Sequence, residues 1–245
     1  MVSIILAIRK YMKNLHQNET SEKKQIKSRD RVAKRGEVFT AEREVKAMCD
    51  LVKDETERID SRFLEPACGD GNFLAEILER KLQVVTRIYG KKPNDWEKYS
   101  IVAVSSIYGI DIMADNAASC RNRLFEIWQK QYEEVSKRKI SSSQKEETKK
   151  TVKYILKRNI LLGNALSLKE VDENQNDKDS PIIFSEWSLI GLSLKRRDFI
   201  FNDLVNKNCK ANLVSDNGNE AEVFSPVKEF SLVHYRRVYE GESQC

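Results

Sequence analysis

Two glycines two residues apart, Gly69 and Gly71 in "EPACGDGNFL", follow a short apolar run and precede a helical pattern. Glycine accepts positive φ and carries no β-carbon, and the first turn of a helix leaves amides without intrahelical partners. A ligand can therefore lie against bare main chain at this turn. Asp111 ends a second apolar run, "IYGIDI", where a carboxylate, which only accepts hydrogen bonds, can take both hydroxyls of a ribose. The Gly-Lys-Ser/Thr ending of a phosphate loop is absent, and Phe73 and Leu74 occupy the region of the third glycine of a dinucleotide fingerprint. The chemistry indicated is capture of a nucleoside that bears neither a triphosphate nor a pyrophosphate.

Positioning these groups requires strands that end where the glycines and the acid begin. "RFLEPACGDGNFLAEILERKL" predicts a strand ending at Leu64 or Glu65, a turn, and a helix from about Asn72 with Phe73, Leu74, Ile77 and Leu78 inward. Residues 101–110, "IVAVSSIYGI", read as a buried strand, followed by a long helix from about Ala114 to Lys137. The polar bridge "KRKISSSQKEETKK" leads through a short helix into "NILLGNAL", a strand stopping at Gly163. Upstream, "GEVFTAEREVKAMCDLV" predicts a helix that Thr40 can cap, with Val45, Met48, Cys49 and Val52 on one face. Strands alternating with helices predict an α/β fold whose parallel sheet is wrapped on both faces, with ligand at the carboxyl ends of the strands. Beyond the loop "VDENQNDKDSP", the runs "IIFSEWSLI" and "RRDFIFNDLV" read as strands, and the last forty or so residues show no period.

The chain has 245 residues, 40% apolar and 33% charged, enough for one substantial core with appended segments. Three regions are expected: a basic helical arm over 1–35, a nucleoside-binding domain over 36–205, and a C-terminal tail over 206–245. A net charge of +5 suits a polyanionic partner without requiring one. Cys49, Cys68, Cys120, Cys209 and Cys245 form no Cys-x-x-Cys pair, and His16 and His234 are the only histidines, so neither a disulfide framework nor a metal site is expected. The apolar part of "MVSIILAIRKY" is too short to span a bilayer and its charges follow it, which predicts a cytoplasmic protein with no membrane association.

In order and spacing, "GEVFT", "FLEPACGDGNFL", "IYGIDI" and "LLGNAL" resemble the amino-terminal, cofactor-binding half of S-adenosylmethionine-dependent DNA adenine N6 methyltransferases of restriction-modification systems. The match covers roughly residues 36 to 168. It implies a Rossmann-like class I methyltransferase sheet, S-adenosyl-L-methionine as cofactor and double-stranded DNA as partner. Phe39 and Thr40 match positions that touch the methionine end of the cofactor. Glu65, Pro66, Ala67, Cys68, Gly69, Asp70 and Gly71 match the cofactor loop, Asp111 and Ile112 the residues that hold ribose and adenine. Asn164 stands where the family has the Asp of "GDAL"; its side-chain carbonyl can still accept from the adenine amino group.

The same family presents a flipped adenine to an Asn/Asp-Pro-Pro-aromatic loop, because N6 is a poor nucleophile that must be held and aligned. Pro66, Pro93, Pro181 and Pro226 are the only prolines and no two are adjacent, so that loop is absent from the sequence. Its place falls at "RRDFIFNDLV", where Asn202 and Asp203 are weak catalytic candidates beside an ordinary strand or turn. At ~5 residues per strand, the stretch after Asp198 is too short for four further strands, their crossovers and a target-recognition domain.

Half a sheet would expose a hydrophobic edge and bare faces, which a partner must cover. Three readings follow: the cofactor-binding subunit of a split methyltransferase, inactive alone, whose partner chain supplies the catalytic loop and target recognition; a truncated or decayed enzyme; or a non-catalytic binding module, with a small-molecule methyltransferase beside it. Trp187 reads as core and the Lys195–Arg197 run as a solvated turn, while His234 and Tyr235 show no partner in the sequence.

Overall fold

The structure, a computed structural model, describes residues 40–137, 140–206, 211–214 and 220–242. The expected basic arm over 1–35 and Phe39 lie outside the described residues. Helix α1, Glu42–Asp50, buries Val45, Met48 and Cys49, three of the four residues that its spacing places on one face. Thr40 does not cap it: the N-cap position is Ala41, with no side-chain cap. After the short α2 (Lys53–Thr56) the chain alternates through β1 (Phe63–Glu65), α3 (Asn72–Tyr89), α4 (Pro93–Ser105), β2 (Ile107–Asp111), α5 (Ala114–Ser136), α6 (Ser142–Asn159) and β3 (Ile160–Asn164).

Two of these elements correct the sequence reading. Residues 101–105 end α4 and do not begin β2. Pro93 opens that helix, where its missing amide costs nothing. Trp96, Ser100, Ala103 and Val104 then fall at helical spacing and are all buried. Tertiary burial of one helical face outweighs the strand preference of Ile101, Val102 and Val104. The polar bridge is mostly helix as well. Ser141 and Gln144 form a capping box, each side chain engaging the other's main chain, and start the 18-residue α6.

The sheet is mixed, so the expected all-parallel layout is corrected. Strands β1, β2 and β3 are adjacent and parallel, with Leu64 opposite Tyr108 and Ile110 opposite Leu161. Two strands, β4 (Lys169–Val171) and β5 (Asp177–Pro181), the latter within the segment read as loop, extend it antiparallel beyond β3. Side chains alternate across the pleat. Phe63, Ile107 and Ile160 join the helices α1, α3, α4, α5 and α6 in the main core, which centres on the stacked Trp96, Tyr132 and Trp128.

On the opposite face Leu64, Tyr108 and Ile110 pack against Ile182, Phe184 and Phe201. That face is covered by strand and loop residues and by one short helix, where helices on both faces were expected.

The cover comes from the chain after β5. Strands β6 (Ile183–Ile190) and β7 (Ser193–Ile200) form an antiparallel hairpin turning at Gly191, whose φ is +61°. Helix α7 (Phe201–Val205) follows. Tyr108 Oη donates to Ser185 O at 3.0 Å. Trp187 Nε1 donates to Asn159 Oδ1 at 2.9 Å, and Asn159 Nδ2 donates to the carbonyls of Ser105 and Ile107. The hairpin therefore closes the sheet at the amino ends of its parallel strands. Trp187 is core, as read, but Arg196 is no solvated turn residue: it is buried in β7, bonded to Asp198, Ser185, Tyr154 and Glu242.

The described residues of the C-terminal tail, where the sequence shows no period, include short strands. Strands β8 (Ala211–Val214) and β9 (Glu220–Val223) pair with each other, while β10 (Lys228–Glu229) and β11 (Val233–His234) flank β7 before a kinked 3₁₀ stretch, Tyr235–Glu242. Tyr235 Oη and Arg236 Nε donate to Glu97 Oε2 at 2.9 and 2.7 Å, while Tyr132 and Thr148 donate to Oε1. His234 stacks on Tyr235 at 4.6 Å. These two residues thus have partners that the sequence did not disclose.

Candidate functional site

The glycine bend lies at the carboxyl end of β1, beside the carboxyl end of β2. Cys68 N–H donates to Ile110 O at 2.9 Å, which pulls the chain over β2. Gly69 (φ +54°) and Gly71 (φ +88°) then adopt the left-handed conformation that the spacing predicts. A β-carbon on Gly71 would stand 2.6 Å from Cys120 Sγ on α5, so this glycine also permits the bend to seat on that helix. The thiol of Cys68 lies against Cys120; hydrogen bonding there, together with burial, pushes it well above the usual cysteine range.

Gly71 is the N-cap of α3 and offers no side-chain cap. The first-turn amides of an 18-residue helix therefore face the bend without that partner.

Asp111 is buried at the end of β2. Its Oδ2 accepts from Gly69 N at 2.9 Å, and its Oδ1 accepts from Met113 N at 2.8 Å and Asn116 Nδ2 at 3.2 Å. The sequence reading treats Asp111 as a ribose acceptor; the structure uses both its oxygens to shape the bend and the start of α5. Ile112 follows it, half-buried.

At the other side of the bend, Asn72 Nδ2 donates to Thr40 O at 3.4 Å, so Thr40 does meet the loop, though through its carbonyl. Glu65 and Pro66 are half-buried and Ala67 is exposed. Asp70 pairs with Arg123 of α5, Oδ2 to Nη2 at 3.3 Å, and Arg123 Nη1 also donates to Asn72 Oδ1.

Asn164, at the end of β3, is committed to its own turn. Its Oδ1 accepts from Leu166 N at 3.0 Å and its Nδ2 donates to Asp177 at 3.0 Å. Asn202 and Asp203 sit on α7, which starts with Phe201 N–H donating to Ile182 O, and Asn202 Oδ1 accepts from Asn206.

Arg123, Asn72 and Asn116 are the site residues that sequence reasoning missed. A signal for Arg123 exists, since it lies three residues after Cys120 and so shares its helix face. Asn116 lies five residues beyond Asp111, on the first turns of the helix that the acid starts.

The residues present fit a nucleoside bearing an amino-acid end. The bend is bare main chain, an acid stands beside it at a strand end, and a cation and a carboxylate flank it. They fit the sugar less simply, because ribose hydroxyls must share Asp111 with the protein's own donors. The fold and site define an α/β protein with a mixed sheet and a glycine bend at the carboxyl ends of its parallel strands, compatible with a Rossmann-like arrangement. Comparison with protein-family models, with curated proteins and with solved structures finds no match. Among the described residues, no helix is long and apolar enough to cross a membrane.

Proposed function

We propose that this chain is the S-adenosylmethionine-binding part of a site-specific DNA adenine N6 methyltransferase of the restriction-modification kind, whose catalytic loop and target recognition come from a second chain. The observation that carries the reading is the contact of Gly69 N–H with Asp111 Oδ2, which joins the two strongest motifs of the sequence at one edge of one site. Thr40, which the resemblance assigns to the methionine end of the cofactor, lies beside the same bend, its carbonyl accepting from Asn72. Bound there, the cofactor supplies an electrophilic methyl group. The chain's own residues hold it: bare main chain at Gly69 and Gly71 for close approach, Asp111 for polar recognition, and the helical layer behind for rigidity.

The split-enzyme reading is supported over a decayed remnant by the tail, whose Arg236 and Glu242 complete buried networks with Glu97 and Arg196. The engagement of Asn164 with its own turn favours, as a second reading, a module that binds the cofactor without reading its adenine amino group. Calorimetric titration of S-adenosylmethionine into the purified chain and into its Asp111→Ala variant tests the assignment. Saturable binding lost in the variant is expected; absence of binding in the parent, or equal affinity in both, overturns it.

A further inference from the structure

We infer that Arg123 and Asp70 together receive the zwitterionic amino-acid end of the bound nucleoside, Asp70 taking the ammonium and Arg123 the carboxylate. This rests on the cofactor reading above and concerns an arginine that the motifs do not include. Asp70 stands between the two positive-φ glycines, so its side chain is anchored on main chain that its neighbours leave bare. Arg123 reaches it from α5, the helix that also packs Cys120 beneath Gly71.

The ion pair is loose. Its two contacts are 3.3 and 3.4 Å, longer than the ~2.7–2.9 Å of a tight charge-assisted bond. Its side chains keep 38% and 23% of their exposure, so water already competes for both charges and the pair itself contributes little stability. Such a pair can exchange partners with a ligand that brings one charge of each sign, and an α-amino acid is that ligand. Arg123 also donates to Asn72 Oδ1, and Asn72 holds the carbonyl of Thr40, so filling the pair couples to Thr40.

The test compares two probes in calorimetric titration of the full chain. S-adenosylhomocysteine carries the amino-acid end, and 5′-methylthioadenosine shares its nucleoside and thioether but lacks that end. Arg123→Ala is expected to weaken S-adenosylhomocysteine at least tenfold while leaving methylthioadenosine within about twofold, since exchange of a charged hydrogen-bonding partner is worth about one order of magnitude or more in affinity. Asp70→Asn is expected to show the same selectivity, and it decides the outcome if Arg123→Ala does not fold. Equal weakening of both probes means that Arg123 only shapes the bend and overturns the inference, as does unchanged binding of both. A parent chain that binds methylthioadenosine as tightly as S-adenosylhomocysteine also overturns it while leaving the nucleoside site standing. A parent that binds neither probe removes both this inference and the cofactor reading.

Discussion

The main-chain amide of Gly69 donates to Asp111 Oδ2 at 2.9 Å, tying the bend after β1 to the carboxyl end of β2. The acid is thus an organiser of the loop before it meets any ligand. A carboxamide in its place would turn one of the two acceptor oxygens into a donor facing an N–H. Asp111→Asn is expected to lower stability by about 1–3 kcal/mol, the cost of leaving a buried donor unsatisfied. A urea midpoint shifted down at unchanged slope checks this.

Gly71 carries two constraints at once, a φ of +88° and a neighbour, Cys120 Sγ, 2.6 Å from where a β-carbon would stand. Gly71→Ala is expected to destabilise by about 1–3 kcal/mol through strain and overpacking. In a Cys120→Ala background the severe contact with the sulfur disappears, the close approach to the β-carbon of residue 120 remains, and the backbone part stays. A double-mutant cycle of the two substitutions should therefore show positive coupling, and strict additivity would contradict the contact.

Glu97 has no exposed surface and accepts from Tyr132, Thr148, Tyr235 and Arg236. Removing it with Glu97→Ala leaves a largely buried guanidinium without its counter-charge and the Tyr132 and Tyr235 hydroxyls without this acceptor, an expected loss of about 3–5 kcal/mol. Limited proteolysis should then cut residues 224–242 faster than in the parent, because these contacts tie the 3₁₀ stretch to the helical layer.

Burial pushes the Cys49 thiol up to about 12, and the contact with Cys120 together with burial raises Cys68 well above its usual range. Only thiolate reacts, and in both cases the folded state favours the neutral thiol. Iodoacetamide at about pH 8 should leave Cys49 and Cys68 unmodified in the folded chain. Their labelling should also lack the rise across roughly pH 7 to 9 that an ordinary thiol shows. Peptide mass spectrometry before and after denaturation reads both.

If a second chain supplies the catalytic loop, the isolated chain should leave adenine in double-stranded DNA unmethylated even with saturating S-adenosylmethionine. Incorporation of labelled methyl groups into DNA by the pure chain would contradict the division of labour.

What could be read ahead of the fold was local. The bend at Gly69 and Gly71, the start of α3 at Asn72 and the long helix after Asp111 each depend on a few neighbouring residues, and each lies where the sequence places it. Residues 101–105 show the limit of that reading: branched side chains favour a strand, but Trp96, Glu97 and Ser100 before them share one buried helical face. Conversely, the acidic segment "DKD" carries none of the apolar alternation of a strand, and becomes β5 by pairing with β4.

By itself the sequence determined where the chain turns and which residues could meet a nucleoside, because glycine conformation, capping and apolar periodicity act over a few residues. Only the tertiary structure decided which of those residues meet one another. Asp111 is claimed by Gly69 and Asn116, Asn164 by its own turn, and Asp70 by an arginine 53 positions further along the chain. Such choices follow from the register of strands and the packing of helices, and those are set by the burial of whole faces that no short window contains.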